Sequence, residues 1–279
     1  MKRLLTLLLA AALLCAGCGA EPKSQTLATQ GPLLTTPLVT PPALTTPAPT
    51  TLQPTTPALT TPEQPKFLIV IDPGHQARGN YDREPIGPGA AETKAKVTSG
   101  TQGCVTSLPE YELNLAVSLK LRQELEQRGY RVILTRESHD INISNAQRAA
   151  IANDAQADAF LRIHANGSEN PNTNGAMTIC QTPENPYNGN LYSQSYSLSE
   201  CVLDGMVAST GCRRERVWQT DTMSGINWCT VPATIVEMGY MSCPEEDRLL
   251  SQEYYQWKIA QGIADGIDRY FSSQAGKTQ

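Results

Sequence analysis

Hydrophobic residues are arranged along the chain in two ways, as nearly unbroken runs and as repeats at helical spacing. Between 110 and 128 they recur every four positions, which predicts an amphipathic helix that Gly129 is placed to end. Further helices are predicted from 144, over about 190–210, and from a capped start at 242–245 to the end of the domain. The runs are rich in β-forming residues and predict buried strands at 67–71, 130–135, 159–163, 176–180 and 233–236.

Strands and helices alternate in this pattern, as is typical of α/β proteins. We predict a single domain over residues 66–273, with a central mixed, largely parallel sheet flanked by helices on both faces, and a C-terminal tail at 274–279. The stretch 76–108 is rich in Gly and Pro and has little periodicity. Because loops of this length in a compact domain are usually functional, we expect it to form a lid or a wall of a site.

The first residues follow a different pattern. A short basic start is followed by a mostly apolar run at 4–14, which is too short to span a bilayer and predicts a signal peptide over 1–17. The run ends in Cys15-Ala16-Gly17-Cys18, which resembles a bacterial lipobox and implies cleavage before Cys18 and lipidation of that cysteine. Cys15 stands where leucine is usual in such a sequence, and secretion without an anchor is the alternative.

Residues 18–65 are predicted to be a lipid-anchored linker rich in Thr and Pro. Thr-Thr-Pro recurs four times between residues 35 and 62. Proline fixes φ and removes hydrogen-bond donors, so we expect an extended, polyproline-like segment. At ~3.1 Å per residue, the part from 31 to 65 would reach ~110 Å and hold the domain well away from the membrane.

Charge and cysteine content narrow the function further. The formal net charge is −5, and removal of Lys2 and Arg3 with the signal peptide gives −5 − 2 = −7. An acidic chain without a basic run is a poor nucleic-acid binder, so that class of partner is excluded.

Six cysteines remain after Cys18, and none of them forms a C-x-x-C pair: Cys104, Cys180, Cys201, Cys212, Cys229 and Cys243. Outside the cytoplasm they indicate up to three disulfides, with six free thiols as the alternative.

Candidate catalytic residues stand at the ends of predicted strands. His75 follows the first strand, His164 ends the strand at 159–163, which Arg162 interrupts, and Glu237 follows the last strand. In open α/β sheets, sites form at the carboxyl edge. Two imidazoles and a carboxylate such as that of Glu110 are typical ligands of a catalytic zinc ion, which leaves a position open for water. A second carboxylate nearby can take a proton from that water and pass it to the leaving amine. On spacing alone this set is weakly specified, because a strand-end histidine is often structural and Glu110 also fits a helix capping box.

Five segments in order, IDPGH, EYELNLAVSLKL, VILTRES, IHAN and IVEMGYMSCPEED, resemble the N-acetylmuramoyl-L-alanine amidase family of zinc-dependent bacterial cell-wall enzymes. The resemblance covers essentially all of 67–271. It implies that His75, Glu110 and His164 hold Zn²⁺ and that Glu237 is the catalytic glutamate, with Glu112 as a less favoured alternative to Glu110. His139 matches no ligand position, and we expect it to be a solvated surface residue.

The resemblance implies hydrolysis of the amide between the lactyl group of N-acetylmuramic acid and L-alanine in peptidoglycan. The chain would act as a monomer on the outer face of the bacterial membrane, reaching into the wall along its linker. Two alternatives are a zinc peptidase that cuts stem peptides and a non-catalytic wall-binding lipoprotein. Three departures from the family pattern concern lid shape and substrate preference: the sequence Gln76-Ala77-Arg78, the long insertion before Glu110, and Cys243 where asparagine is common.

Overall fold

The computed structural model describes residues 67–275. The predicted signal peptide, Cys18, the linker and the last four residues lie outside this range, and those assignments stay predictions. Strands and helices alternate in the order β1 (Leu68–Pro73), β2 (Asn80–Pro85), β3 (Thr93–Val97), α1 (Glu110–Gln127), β4 (Arg131–Leu134), α2 (Asn145–Asp154), β5 (Ala159–Asn166), β6 (Ala176–Cys180), α3 (Tyr192–Thr210), β7 (Arg214–Gln219), α4 (Ser224–Asn227), β8 (Ala233–Tyr240), α5 (Pro244–Leu250) and α6 (Glu253–Ala275).

Six of the strands form one sheet in the order β4-β1-β5-β8-β6-β7. All neighbours are parallel except β6 and β8, which are antiparallel, so the predicted α/β fold with a mixed, largely parallel sheet is confirmed. The three strands β1, β5 and β8 lie side by side at the centre. Because they run in the same direction, their carboxyl ends meet at one edge of the sheet, where the candidate residues follow.

Both faces of the sheet are covered, which explains the unbroken apolar runs. Ile69 and Ile71 of β1 pack with side chains of α1, α3 and α6 on one face. Val70 points the other way and packs with Ala149 of α2. The four-residue repeat of α1 is buried as predicted, from Leu113 to Leu125. Within 67–275, no helix combines the length and the hydrophobicity needed to cross a bilayer.

Two elements are absent from the sequence prediction because their strands are polar. The stretch predicted as an irregular loop contains the antiparallel hairpin β2–β3, whose sequences NYDREP and TKAKV lack a buried alternation. Strand β7, RERVWQ, lies at the edge of the main sheet and is largely exposed. A strand with little apolar burial leaves no hydrophobic period to detect.

Two further predictions are wrong. The single terminal helix is two helices, because α5 ends at Leu250, where Gln256 Nε2 donates to the Leu250 carbonyl (2.9 Å) and Ser251 Oγ donates to that of Arg248 (2.8 Å). The six cysteines of the domain are all free instead of paired. They lie on separate elements and loops, and the burial of Cys180, Cys229 and Cys243 is that of small apolar side chains.

Candidate active site

The turn after β1 brings the first histidine over the sheet edge. His75 has φ +61°, a left-handed conformation that is uncommon outside glycine and that concentrates at functional sites. Gly74 precedes it, and a Cβ at Gly74 would overlap with the imidazole of His164. The glycine therefore allows the two histidine-bearing segments to approach each other closely.

Three side chains converge on one point at this edge. The distances between His75 Nε2 and Glu110 Oε1, between His164 Nδ1 and Glu110 Oε1, and between the two imidazole nitrogens are all 3.2 Å. A tetrahedral zinc ion with bonds of ~2.0–2.1 Å has ligand atoms ~3.3–3.4 Å apart. The triangle therefore has the dimensions of three zinc ligands, and its N, N, O donor set is one that zinc prefers.

The protonation of the histidines also fits a metal site. His75 Nδ1 lies 2.8 Å from the Thr98 carbonyl, which can only accept, so Nδ1 carries the proton and Nε2 offers its lone pair. Burial lowers the pKa of His164 to about 4, although its hydrogen bond to Glu110 favours the charged form. The tautomer of His75 and the lowered pKa of His164 both suit a nitrogen that holds a metal ion.

Glu110 is held rigidly at the start of α1. Its Oε2 accepts from the Thr101 amide (2.9 Å), and its Oε1 accepts from the Ala165 amide (3.1 Å) and from Asn114 Nδ2 (3.2 Å). Burial alone would raise its pKa, but the two imidazoles hold the pKa of Glu110 well below its usual range.

The capping-box interpretation of Glu110 is wrong. Pro109 is the N-cap residue of α1, and no side chain caps this helix end. Glu112, the alternative candidate, accepts a hydrogen bond from Tyr111 Oη (3.2 Å) and is not part of the three-residue group.

Glu237 lies beside this group on the next strand. It is paired in register with His164 across β5 and β8, so the two side chains project from the same face of the sheet. Its Oε2 is buried without a hydrogen-bond partner among the described residues. Burial, together with the charge of Glu110, raises the pKa of Glu237 to about 8, against the opposing effect of Arg162. This carboxyl group is placed and tuned to exchange a proton near neutral pH.

Two buried arginines fix the backbone that carries His75. Arg136 donates from Nε to the Pro73 carbonyl (2.8 Å) and from Nη2 to the Gly74 carbonyl (3.1 Å). Arg148 donates from Nη1 to the Pro73 carbonyl (2.9 Å) and from Nη2 to the His75 carbonyl (2.9 Å). The strained turn is therefore held from two sides, by residues that the sequence analysis did not single out.

A pocket of about 390 Å³ opens at this edge of the sheet. His75, His164 and Glu237 line it from the sheet, and the β2–β3 hairpin and the segment 222–225 form its other walls. The expectation that 76–108 forms a wall of the site is confirmed.

The structure thus brings together His75, Glu110 and His164 and places Glu237 in the same pocket. His139 differs from its prediction, because its ring is half-buried against Tyr111 (centroids 5.2 Å apart) instead of solvated. The supporting residues that were missed are Asn114, Arg136 and Arg148. Arg148 could have been suspected, because it directly precedes the apolar positions of the predicted second helix.

The chain is similar to a group of known proteins. The family profile described as N-acetylmuramoyl-L-alanine amidase matches residues 69–269. Among similar proteins, N-acetylmuramoyl-L-alanine amidase LytC of Bacillus subtilis (strain 168) is 30% identical over 203 residues, which are 73% of this chain and 35% of LytC. The germination-specific N-acetylmuramoyl-L-alanine amidase of the same organism is 25% identical over 224 residues, covering 74% of this chain and 81% of that protein.

A solved structure of similar shape is the N-acetylmuramyl-L-alanine amidase Ami1 from Mycobacterium smegmatis. It superposes with a TM-score of 0.67 at 25% identity, covering 75% of this chain and 99% of Ami1. The chain spans about a third of the length of LytC, so the likeness concerns only part of that protein. The family match extends over most of the described residues and includes all four candidate positions. The chain therefore belongs to the N-acetylmuramoyl-L-alanine amidase family.

Proposed function

We propose that this protein is a zinc-dependent amidase that hydrolyses the bond between the lactyl group of N-acetylmuramic acid and L-alanine in peptidoglycan. The observation that carries the proposal is the triangle of two imidazole nitrogens and one carboxylate oxygen, 3.2 Å on each edge, with Glu237 on the adjoining strand. Family membership supports the choice of bond and of substrate.

His75, Glu110 and His164 would hold the zinc ion and leave the pocket side open. When bound, zinc supplies a Lewis acid that polarises a carbonyl group and acidifies water. The protein's own part is to present a lone pair from each imidazole: the Thr98 carbonyl holds the His75 proton on Nδ1, and burial lowers the pKa of His164 to about 4.

Glu237 would carry the proton. Its carboxylate accepts a proton from the attacking water and then delivers that proton to the departing amine of L-alanine. A pKa of about 8 lies close to neutral pH and suits both steps. A stronger acid would not accept the proton, and a weaker acid would not release it.

Mass analysis of peptidoglycan fragments tests the proposal directly. We expect digestion by the purified protein to release stem peptides with a free L-alanine amino terminus, to stop with a chelator, and to resume with added zinc. Shortened stems or free D-alanine would instead identify a stem peptidase. Intact peptidoglycan that nevertheless sediments with the protein would identify a non-catalytic wall binder.

We further propose that lipidated Cys18 anchors the protein to the outer face of the membrane and that the linker carries a monomeric domain into the wall. The lipobox-like sequence and the Thr-Pro repeats support this placement. Cys18→Ser should move the protein from the membrane fraction to the soluble fraction. Light scattering of the purified variant should give the mass of one chain, and a mass of two chains would contradict the monomer.

A further inference from the structure

Strand β5 carries a buried arginine that the proposed zinc site and proton transfer do not use. Arg162 lies two residues before His164, so both side chains project from the same face and line the pocket. Its Nε donates to Asp72 (2.8 Å) and its Nη2 to Asn145 (2.7 Å), and the side chain is only 5% exposed. Its Nη1 lies beside Gly225, where a Cβ would overlap with it. The guanidinium is therefore fixed at the pocket wall, with its charge paired to Asp72.

Two more cations line the pocket from the β2–β3 hairpin, Arg83 and Lys94. Arg83 donates to the hydroxyl and the carbonyl of Thr93, and Lys94 Nζ donates to the Thr222 carbonyl (2.7 Å). These acceptors are neutral, so neither charge is balanced by a carboxylate within the described residues. Two positive charges without a carboxylate partner thus line the pocket beside Arg162, whose charge is paired with Asp72, in a chain whose net charge is negative.

The hairpin is fixed to the rest of the domain. Trp228 Nε1 donates to the Pro85 carbonyl (2.9 Å), and the Ala146 amide donates to Glu84 Oε1 (3.2 Å). With the bond from Lys94 to the Thr222 carbonyl, these contacts tie both strands to α2 and to the segment 222–228. The cations of the hairpin are therefore held at the wall and not on a free flap.

We propose that Arg83, Lys94 and Arg162 form a subsite for a carboxylate of the stem peptide, an inference that rests on the proposed function. A round cavity of 390 Å³ would be ~9 Å across, the length of two to three extended residues. The carboxylate that reaches the subsite then belongs to the second residue of the stem peptide, the glutamate that follows L-alanine. Its α-carboxyl group is either free or amidated, and the charges of Arg83 and Lys94, which no carboxylate of the described residues balances, select the free acid.

The subsite also sets the direction of the substrate. Arg83 and Lys94 lie on the hairpin wall of the pocket, whereas His164 and Glu237 line it from the sheet. The stem peptide therefore extends from the scissile bond toward the hairpin.

Two muropeptides that differ only in whether this carboxyl group is free or amidated test the subsite. With the full, zinc-loaded chain we expect kcat/KM to be about tenfold higher for the free acid, as for a hydrogen-bonded charge pair, and the ratio to fall as salt is added. The double variant Arg83→Gln/Lys94→Gln should bring the ratio close to one. Equal rates in the unmodified protein, or an unchanged ratio in the double variant, would overturn the subsite.

Two further variants separate charge from structure. Lys96 lies on the same strand as Lys94, but it pairs with Asp82 (3.3 Å) and does not line the pocket. Lys96→Gln should therefore leave the ratio unchanged. Gly225→Ala keeps every charge but displaces the Arg162 guanidinium, and it should lower the preference for the free acid.

Calorimetric titration of the Glu237→Gln variant with both muropeptides measures the subsite without turnover. Tighter binding of the free acid supports the proposal even if the hydrolysed bond is not the one assigned above. Equal affinities would reject the subsite even if the amidase activity is confirmed.

Discussion

At the scale of single residues, the candidate site depends on side chains whose freedom is removed by their neighbours. Glu110 is fixed by two backbone amides and by Asn114, and His75 is fixed by its bond to the Thr98 carbonyl. Glu237 differs, because its buried Oε2 has no such partner among the described residues. A polar group left unsatisfied beside a candidate metal site is available for substrate or water, which suits a catalytic role.

Glu237→Gln should therefore abolish turnover without removing zinc. The amide keeps the size of the side chain but cannot accept the proton, so we expect kcat to fall ~10²- to 10⁴-fold. Metal analysis of the same sample should still find one zinc ion per chain. Glu112→Gln is the matched control, since Glu112 lies outside the cluster, and it should keep its activity. Full activity of Glu237→Gln would remove this residue from the mechanism.

Asn114→Ala should weaken zinc binding while the fold persists. Asn114 orients Glu110 Oε1, and loss of such an outer partner typically costs ~10- to 100-fold in metal affinity. Competition with a chromogenic chelator measures the change. Ser118→Ala, one turn further along the same helix, is the control, because its buried hydroxyl has no partner among the described residues and should not affect affinity. Equal affinities in the two variants would contradict the positioning role.

At the scale of elements, one buried carboxylate connects the segments that lie beneath the candidate site. Asp72, fully buried, accepts hydrogen bonds from Arg148 (2.7 Å) and Arg162 (2.8 Å). Burial opposes its ionisation, but the two guanidiniums and the Thr135 hydroxyl hold the pKa of Asp72 well below its ordinary value. One carboxylate thus connects β1, α2 and β5 beneath the candidate site.

Asp72→Asn should cost ~3–5 kcal/mol in the free energy of unfolding, because it leaves two buried arginines without their shared counter-charge. Since the folded pKa of Asp72 lies below the unfolded value of ~3.9, its stabilisation is present above that pH and is lost as the pH falls further. Urea unfolding at pH 7 and pH 3 measures both effects, and the loss should be smaller at pH 3. Glu137→Gln, which breaks an exposed ion pair with Arg122, should cost less than ~1 kcal/mol.

Elements with a buried apolar face could be predicted, and polar ones could not. The strand β6 has the predicted bounds, and the helix predicted from 144 begins after Ser144, which forms a capping box with Gln147. The β2–β3 hairpin and β7 were missed because contacts with distant segments hold them. Trp228 and Thr222 lie far along the chain and form hydrogen bonds with the hairpin, and no local sequence pattern predicts such bonds.

At the scale of the whole molecule, the parallel topology builds the site. Side chains from β5, β8, the turn after β1 and the start of α1 meet at one edge, although they are separated by up to 162 positions between His75 and Glu237. A metal ion that joins such distant segments stabilises the folded state, because the unfolded chain does not hold the ligands together.

Zinc should accordingly raise the thermal unfolding midpoint of the protein. At a zinc concentration 100-fold above Kd the gain is ~2.7 kcal/mol, which corresponds to ~5–10 °C for a domain of this size. Calorimetry with zinc and with a chelator measures the shift. His164→Ala should lose it, whereas Glu237→Gln should keep it. A midpoint that does not respond to zinc would contradict the proposed metal site.

The class of fold, the main strands and helices and the four candidate residues could be predicted from the amino-acid sequence. Those features depend on local apolar periodicity and on ordered segments that resemble a known family. Three other features appear only in the folded protein: the three candidate ligand atoms lie 3.2 Å apart, buried arginines fix the turn at His75, and a polar hairpin lines the pocket. These features depend on contacts between residues far apart in the chain, and their geometry appears only when the sheet has formed.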